Sequence, residues 1–377
     1  MRMAASLASA NLSFLCACLD VSSRRDEDIL QIVKRGEVDW GQVFLLSGNH
    51  LVTPSLAGAL RRKKLWDHLD KDVASYLDAI QRLNRERNDT LRRQLTRISA
   101  ALNGIGITPL LLKGAITLMP EQYAGAEDRV IGDLDIHVPP PRTGEACEVL
   151  AALGYREDTE AWWWATQASQ GAMHHARPML HCSLPVKVEV HHRVLHNTGD
   201  DRVFCAGLKR LPFMFSGGER VDVPDIGSRI VHSFLHTQIN DRLALRRLAN
   251  LRQLLEFSHL VSALHVDIDL SHIKEEVQPH RHRRLAEYWA LAESWLGAPY
   301  SSGLVRSPSQ KRELWLVEKV TLEPRWRRGS DLYDFAVRLP RRLANLIVRL
   351  RENPMYFPMA ARRAVRTAGR KGRRGGW

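Results

Sequence analysis

Cysteine is scarce and unpaired in pattern: Cys16, Cys18, Cys147, Cys182 and Cys205 are five in 377 residues, with no CxxC spacing among them. An odd, scattered set excludes a disulfide framework and a thiolate zinc site, and is what a reducing, cytoplasmic setting predicts. Long apolar runs are missing too. No stretch approaches the roughly 20 apolar residues that a bilayer-spanning helix needs. The apolar segment from Ala4 to Leu19 is broken by Asn11 and Ser13 and no cleavage signal follows, so it reads as a first helix instead of a targeting peptide. There is no internal repeat and no RNA-binding motif. Away from its end the chain also lacks a charge bias: most of the net +13 comes from residues 338–377, where twelve lysines and arginines meet one acid, Glu352. That tail is expected to be partly disordered and to contact nucleic acid or an anionic membrane surface, or only to keep the chain solvated.

What is present is ordinary globular composition, 44% hydrophobic and 26% charged, with length for two or three domains. Helical periodicity fills the first hundred residues, over 26–35, 40–46, 51–65 and a long 71–102. In the last of these Val73, Tyr76, Leu77, Ile80, Leu83, Leu91, Leu95, Ile98 and Leu102 recur mostly at three- or four-residue steps, and Gly104 and Gly106 mark its stop. The run 109–113, closed by Gly114, predicts a strand and a tight turn. A short helix over 115–121, a strand over 133–138, a Pro139-Pro140-Pro141 breaker and a helix over 145–153 follow. In the strand 186–192, Val186, Val188 and Val190 lie on one face and Lys187, Glu189 and His191 on the other. Beyond Pro224 the spacing is helical again, over 226–240, 243–259 and 280–296, with 315–320 readable as helix or strand. These divide the chain into a helical region (1–102), a small α/β unit (103–200), a mainly helical region (201–337) and the basic tail (338–377).

The chemistry concentrates on the strand 133–138. Asp133 and Asp135 are two apart and so share a face, where their like charges repel unless a cation offsets them. Oxygen ligands of this kind suit Mg²⁺ or Mn²⁺. Glu189 adds a third carboxylate on a half-buried strand, where an acid needs a partner. Two carboxylates on one strand and a third on a neighbour can hold two divalent ions about 3.5–4 Å apart, the arrangement that serves phosphoryl or nucleotidyl transfer. Gly114 lets backbone N–H groups approach a triphosphate, and Lys113 and Arg129 supply charge.

LLLKGA (110–115), Tyr123 and Arg129, GDLDIHV (132–138) and VEVHHRV (188–194) together resemble the uncharacterised nucleotidyltransferases of the DNA polymerase beta superfamily. Members carry an LKG strand, an R-x-x-G-D-x-D strand and a later E-x-H strand; Arg129, Gly132, Asp133 and Asp135 fit the second pattern, Glu189 and His191 the third. The resemblance covers residues 109–255. It implies an α/β (α+β) fold, a nucleotidyltransferase palm with a small mixed sheet embedded in helical N- and C-terminal regions. It further implies transfer of a nucleoside monophosphate from an NTP to an acceptor hydroxyl on a protein, small molecule, sugar or RNA. In that scheme Asp133, Asp135 and Glu189 are catalytic acids and metal ligands, Lys113, Gly114 and Arg129 bind the nucleotide, and His191 orients a ligand or the substrate. Where characterised enzymes of the wider superfamily have Gly-Ser or Gly-Gly after the first strand, this chain has Gly114-Ala115, which leaves phosphate binding to backbone and Lys113.

Two other readings stay open. The missing Ser suits an inactive relative that binds a nucleotide or scaffolds a complex. His174, His175, His181, His191, His192 and His196 fall within 23 residues and suit a His-ligated metallohydrolase, although no HExxH or HxxxH pair there lies on a predicted helix. His232 and His236 read as core packing on a helix. Trp162, Trp163 and Trp164 read as cover for a core edge or as a stacking platform, and Asp128 and Glu127 are the adjacent ion partners for Arg129.

Overall fold

The computed structural model describes residues 2–119, 125, 127–159, 173–264, 270–300, 310–323, 325–337 and 339. Tyr123, the tryptophan trio and the basic tail from residue 340 onward lie outside the described residues.

The N-terminal helices are α1 (Arg2–Leu19), α2 (Asp26–Lys34), α3 (Trp40–Asn49), α4 (Thr53–Arg62) and α5 (Lys71–Gly104). The segment that imitates a targeting peptide is α1, and its Leu12, Leu15, Cys16, Cys18 and Leu19 are buried in a helical core. Three acids open α2, where the helix dipole favours negative charge, and the Asp39 side chain caps α3 by accepting from the Gln42 amide. Helix α5 joins two cores. Val73 and Leu77 pack in the helical core, whereas Leu91, Leu95, Ile98 and Leu102 pack under the sheet. Between them the same buried stripe carries Gln81, Asn84 and Asn88.

The sheet consists of β1 (Leu110–Leu112), β2 (Asp133–His137), β3 (Arg156–Glu157), β4 (Met179–Leu180), β5 (Lys187–His191), β6 (Arg210–Met214) and β7 (Arg220–Pro224). Their order is β3-β4-β5-β2-β1-β7-β6, with β2 parallel to β5 and antiparallel to β1. The mixed α/β fold expected from the sequence is therefore what the chain adopts. Alternation sorts the faces. Leu111, Leu134, Ile136, Val188 and Val190 form one core with α5 and with α6 (Thr143–Ala152), while Leu110 and Leu112 face the helical core. The acids share that second face. It looks onto α8 (Ile226–Phe234), which follows α7 (Thr198–Gly207) and contributes Ile230, Val231 and Phe234.

Sequence periodicity missed the β6–β7 hairpin, because Arg210 to Met214 has one exposed face and one barely covered, leaving no clear apolar alternation. The helix expected over 226–240 is α-helical only to Phe234 and π-helical from Leu235 to Asn240. The helix expected over 243–259 is two pieces, α9 (Leu243–Arg246) and α10 (Leu251–Ala263). Arg242 and Arg247 stand in the left-handed region on either side of α9, with φ of 61° and 49°, and end its helical run. After α11 (Leu270–Glu275) come α12 (His282–Leu296) and α13 (Gln310–Leu322), the latter resolving the helix-or-strand ambiguity at 315–320.

Candidate functional site

Parallel pairing of β2 with β5 sets the register that brings the acids together: Asp135 stands opposite Glu189, and Asp133 opposite Lys187. On the other side Leu112 pairs with Asp135, so Lys113 emerges from β1 beside that carboxylate. Lys113 is a non-glycine residue at φ 50°, a conformation kept only where surrounding contacts enforce it. Its Nζ donates to Asp135 Oδ1 at 2.7 Å. His191 Nε2 lies 2.8 Å from the same oxygen, and Lys187 Nζ donates to Glu189 Oε1 at 2.6 Å.

Asp135 has no exposed surface, and burial alone would raise its pKa; Lys113 and His191 outweigh that and hold the carboxyl well below the ordinary carboxylate range. It is an anion. Burial lowers the His191 pKa, so its imidazole is neutral. A neutral ring facing a carboxylate carries its hydrogen on Nε2, and Nδ1 is left without a hydrogen-bond partner among the described residues. Asp133 is half-buried, and burial together with Asp135 pushes its pKa up to about 6, partly offset by Lys113.

Ligand atoms of Asp135, Glu189 and His191 all lie within 4.8 Å of one another. Asp135 Oδ2 is buried without a hydrogen-bond partner among the described residues, an oxygen left over for a cation. The two carboxylates suit Mg²⁺ or Mn²⁺. While His191 Nε2 donates to Asp135 it has no lone pair there for a metal. Asp133 lies outside this 4.8 Å group and lines the adjoining cleft.

That cleft, about 340 Å³, runs between the Lys113 turn and the helices α8 and α10. Gly114 opens onto it, and a Cβ there would sit 3.4 Å from Ile131 and 3.8 Å from Arg129 Nη2. The sequence neighbours Asp128 and Glu127 are not the partners of Arg129. Asp128 is bound by Arg62 and Gln81, Glu127 by Arg85, and the Arg129 guanidinium reaches across to Glu256 on α10. Asn84 and Asn88 both donate to the Arg129 carbonyl, at 3.0 and 2.8 Å, fixing the strand that leads to β2.

Sequence reading overlooked Arg229 and Arg252, which line the cleft beside Arg129; the only signal was basic residues inside the apolar spacing of α8 and α10. His232 and His236, read as core packing, also line the cleft; His232 is 4% exposed with its ring 5.8 Å from Phe204, its Nε2 has no hydrogen-bond partner among the described residues, and burial lowers its pKa to about 3. The π-helical turn carrying His236 and Thr237 widens α8 at this wall, a distortion common at functional sites. Of the histidine cluster, His174, His175 and His191 pack ring against ring, 4.8–5.2 Å apart. Among the described residues only His191 joins a group with metal-holding distances.

A mixed sheet with a D-x-D strand paired to an E-x-H strand, facing a basic cleft, defines a protein of the nucleotidyltransferase class. Residues 36–297 match the family model described as uncharacterised nucleotidyltransferase, and the chain belongs to that family. Comparison with curated proteins and with solved structures gave no match. No described helix is long and apolar enough to cross a membrane.

Proposed function

We propose that the chain transfers a nucleoside monophosphate from an NTP to an acceptor hydroxyl with the help of Mg²⁺ or Mn²⁺. The observation that carries this reading is the carboxylate pair Asp135 and Glu189, linked through the Lys113–Asp135 bond to a cleft lined by Lys113, Gly114, Arg129 and Asp133. Asp133, Asp135 and Glu189 would hold the cation, which when bound activates the acceptor oxygen and neutralises charge on the leaving pyrophosphate. Lys113, the Gly114 backbone and Arg129 would hold the triphosphate. His191 would fix the Asp135 carboxylate through Oδ1, leaving Oδ2 for the cation. Glu189 would take the proton as the acceptor oxygen bonds to the α-phosphorus and the bond to pyrophosphate breaks. The test is incubation with labelled ATP, CTP, GTP and UTP plus Mg²⁺ or Mn²⁺ and pools of protein, sugar, small-molecule and RNA acceptors. Label transfer with pyrophosphate release, abolished by Asp133→Ala, is expected; absence of NTP binding, or an Asp133→Ala variant equal to the parent, would sink the reading.

One observation favours a second reading, a nucleotide-binding module without turnover. Lys113 and Lys187 already neutralise Asp135 and Glu189. Calorimetry that detects NTP binding in a protein releasing no pyrophosphate would decide for it.

A further inference from the structure

The helical wall of the cleft concentrates positive charge in a way the sheet does not require. Arg129 and Arg229 are 5% and 7% exposed, and Arg252 is half-buried beside them. All three line the cleft, and Arg129 depresses the basicity of both neighbours, which burial lowers first. Glu256, itself 9% exposed, is seated on Arg129 Nη2, and Asp133 and Asp241 in the same lining also act on Arg252. The pairing is incomplete. Arg129 Nε and Nη1 and Arg252 Nε are buried without hydrogen-bond partners among the described residues. Buried guanidinium N–H groups left unmatched are costly, and the ligand that matches several planar forks at once is an anion with many oxygens in a row.

We infer that Arg129, Arg229 and Arg252 form a polyphosphate clamp on the helical side of the cleft, with Glu256 as a resident counter-charge that the phosphate chain displaces from Arg129. The inference rests on the nucleotidyl-transfer reading for its biological ligand, and it adds Arg229, Arg252 and Glu256 to the residues that reading names. It also supplies what Ala115 withdraws: where a Ser hydroxyl would have gripped the phosphates from the turn, guanidinium groups grip them from α8 and α10. Three guanidinium groups with Lys113 nearby select a triphosphate or pyrophosphate over a single phosphate.

Metal-free calorimetry with inorganic tripolyphosphate and with inorganic phosphate tests the clamp without any transfer chemistry. Tripolyphosphate is expected to bind at least tenfold more tightly than phosphate, and Arg252→Gln to weaken it about tenfold. Glu256→Gln is expected to do the opposite and tighten tripolyphosphate binding several-fold while lowering thermal stability, a pairing that a purely structural Glu256 would not give. Arg229→Lys keeps the charge but loses the fork, and is expected to weaken tripolyphosphate more than phosphate. Unchanged affinity in Arg252→Gln, or weaker binding in Glu256→Gln, overturns the clamp. Failure of the two ideas is separable. Tripolyphosphate binding that depends on Arg252 in a protein that transfers no nucleotide leaves the clamp and removes the transfer reading; nucleotide transfer with Arg252-independent binding does the reverse.

Discussion

Asp135 is cut off from water, and it persists as an anion because Lys113 and His191 touch the same oxygen. Asp133, two residues away at the cleft, lacks such partners, and the difference sets its pH behaviour. Its folded pKa of about 6 exceeds the ordinary 3.8, so the folded chain takes up a proton there as pH falls through 6. The sign follows: ionised Asp133 weakens the ligand-free fold above pH 6, and that loss is relieved at lower pH. For a metal the sign is reversed, because only the ionised form ligates. Mn²⁺ affinity measured by calorimetry is expected to be level above pH 6 and to fall about tenfold per pH unit below it, with the inflection absent in Asp133→Asn. A parent whose affinity does not change between pH 5 and 7 would exclude Asp133 as a ligand. The D-x-D pair and Glu189 were legible from alternation and from the resemblance of their strands to a known family. Their unequal environments were not, since these depend on Leu112 pairing with Asp135 and on Lys113 turning into the left-handed region.

At the scale of elements, the segment 127–132 that delivers Arg129 and β2 is tied to two helices far away in sequence. Ser55 Oγ donates to the Asp128 carbonyl, Gln81 and Arg62 hold the Asp128 carboxylate, and Asn84 and Asn88 hold the Arg129 carbonyl. Gly58 on α4 makes this possible, because a Cβ there would lie 2.2 Å from Asp128 Oδ1. Gly58→Ala is expected to cost about 1–3 kcal/mol in denaturant unfolding and to weaken tripolyphosphate binding by misplacing Arg129. A variant as stable as the parent, with unchanged binding, would show that the tether is dispensable. The sequence did carry a trace of the tether. Leu77, Gln81, Asn84, Asn88, Leu91 and Leu95 form one helical stripe whose middle is polar, and buried amides at the centre of an apolar face need partners. Which backbone they hold was not readable, because those atoms lie more than forty residues away.

Across the whole molecule, the cleft lies at the seam between the sheet core and the helical core, and its charged lining comes from both: Lys113 and Asp133 from the sheet, Arg229, Arg252 and Glu256 from the helices. A ligand bridging the seam stabilises both sides at once. Tripolyphosphate at a hundred times its Kd contributes about 2.7 kcal/mol, and calorimetric unfolding is expected to shift upward by several degrees as one transition. Two transitions of which only one moves would place the phosphate within a single core. Sequence by itself determined the elements with strong periodicity, the α/β character, the two strands that carry the acids and the strand that leads to Lys113, because apolar alternation and helical spacing are local properties. Only the tertiary structure decided that Arg129 leaves Asp128 and Glu127 for Glu256, that α8 and α10 supply two further arginines, and that Lys113 closes on Asp135. Those contacts join residues from 22 to well over 100 positions apart, beyond the reach of local spacing.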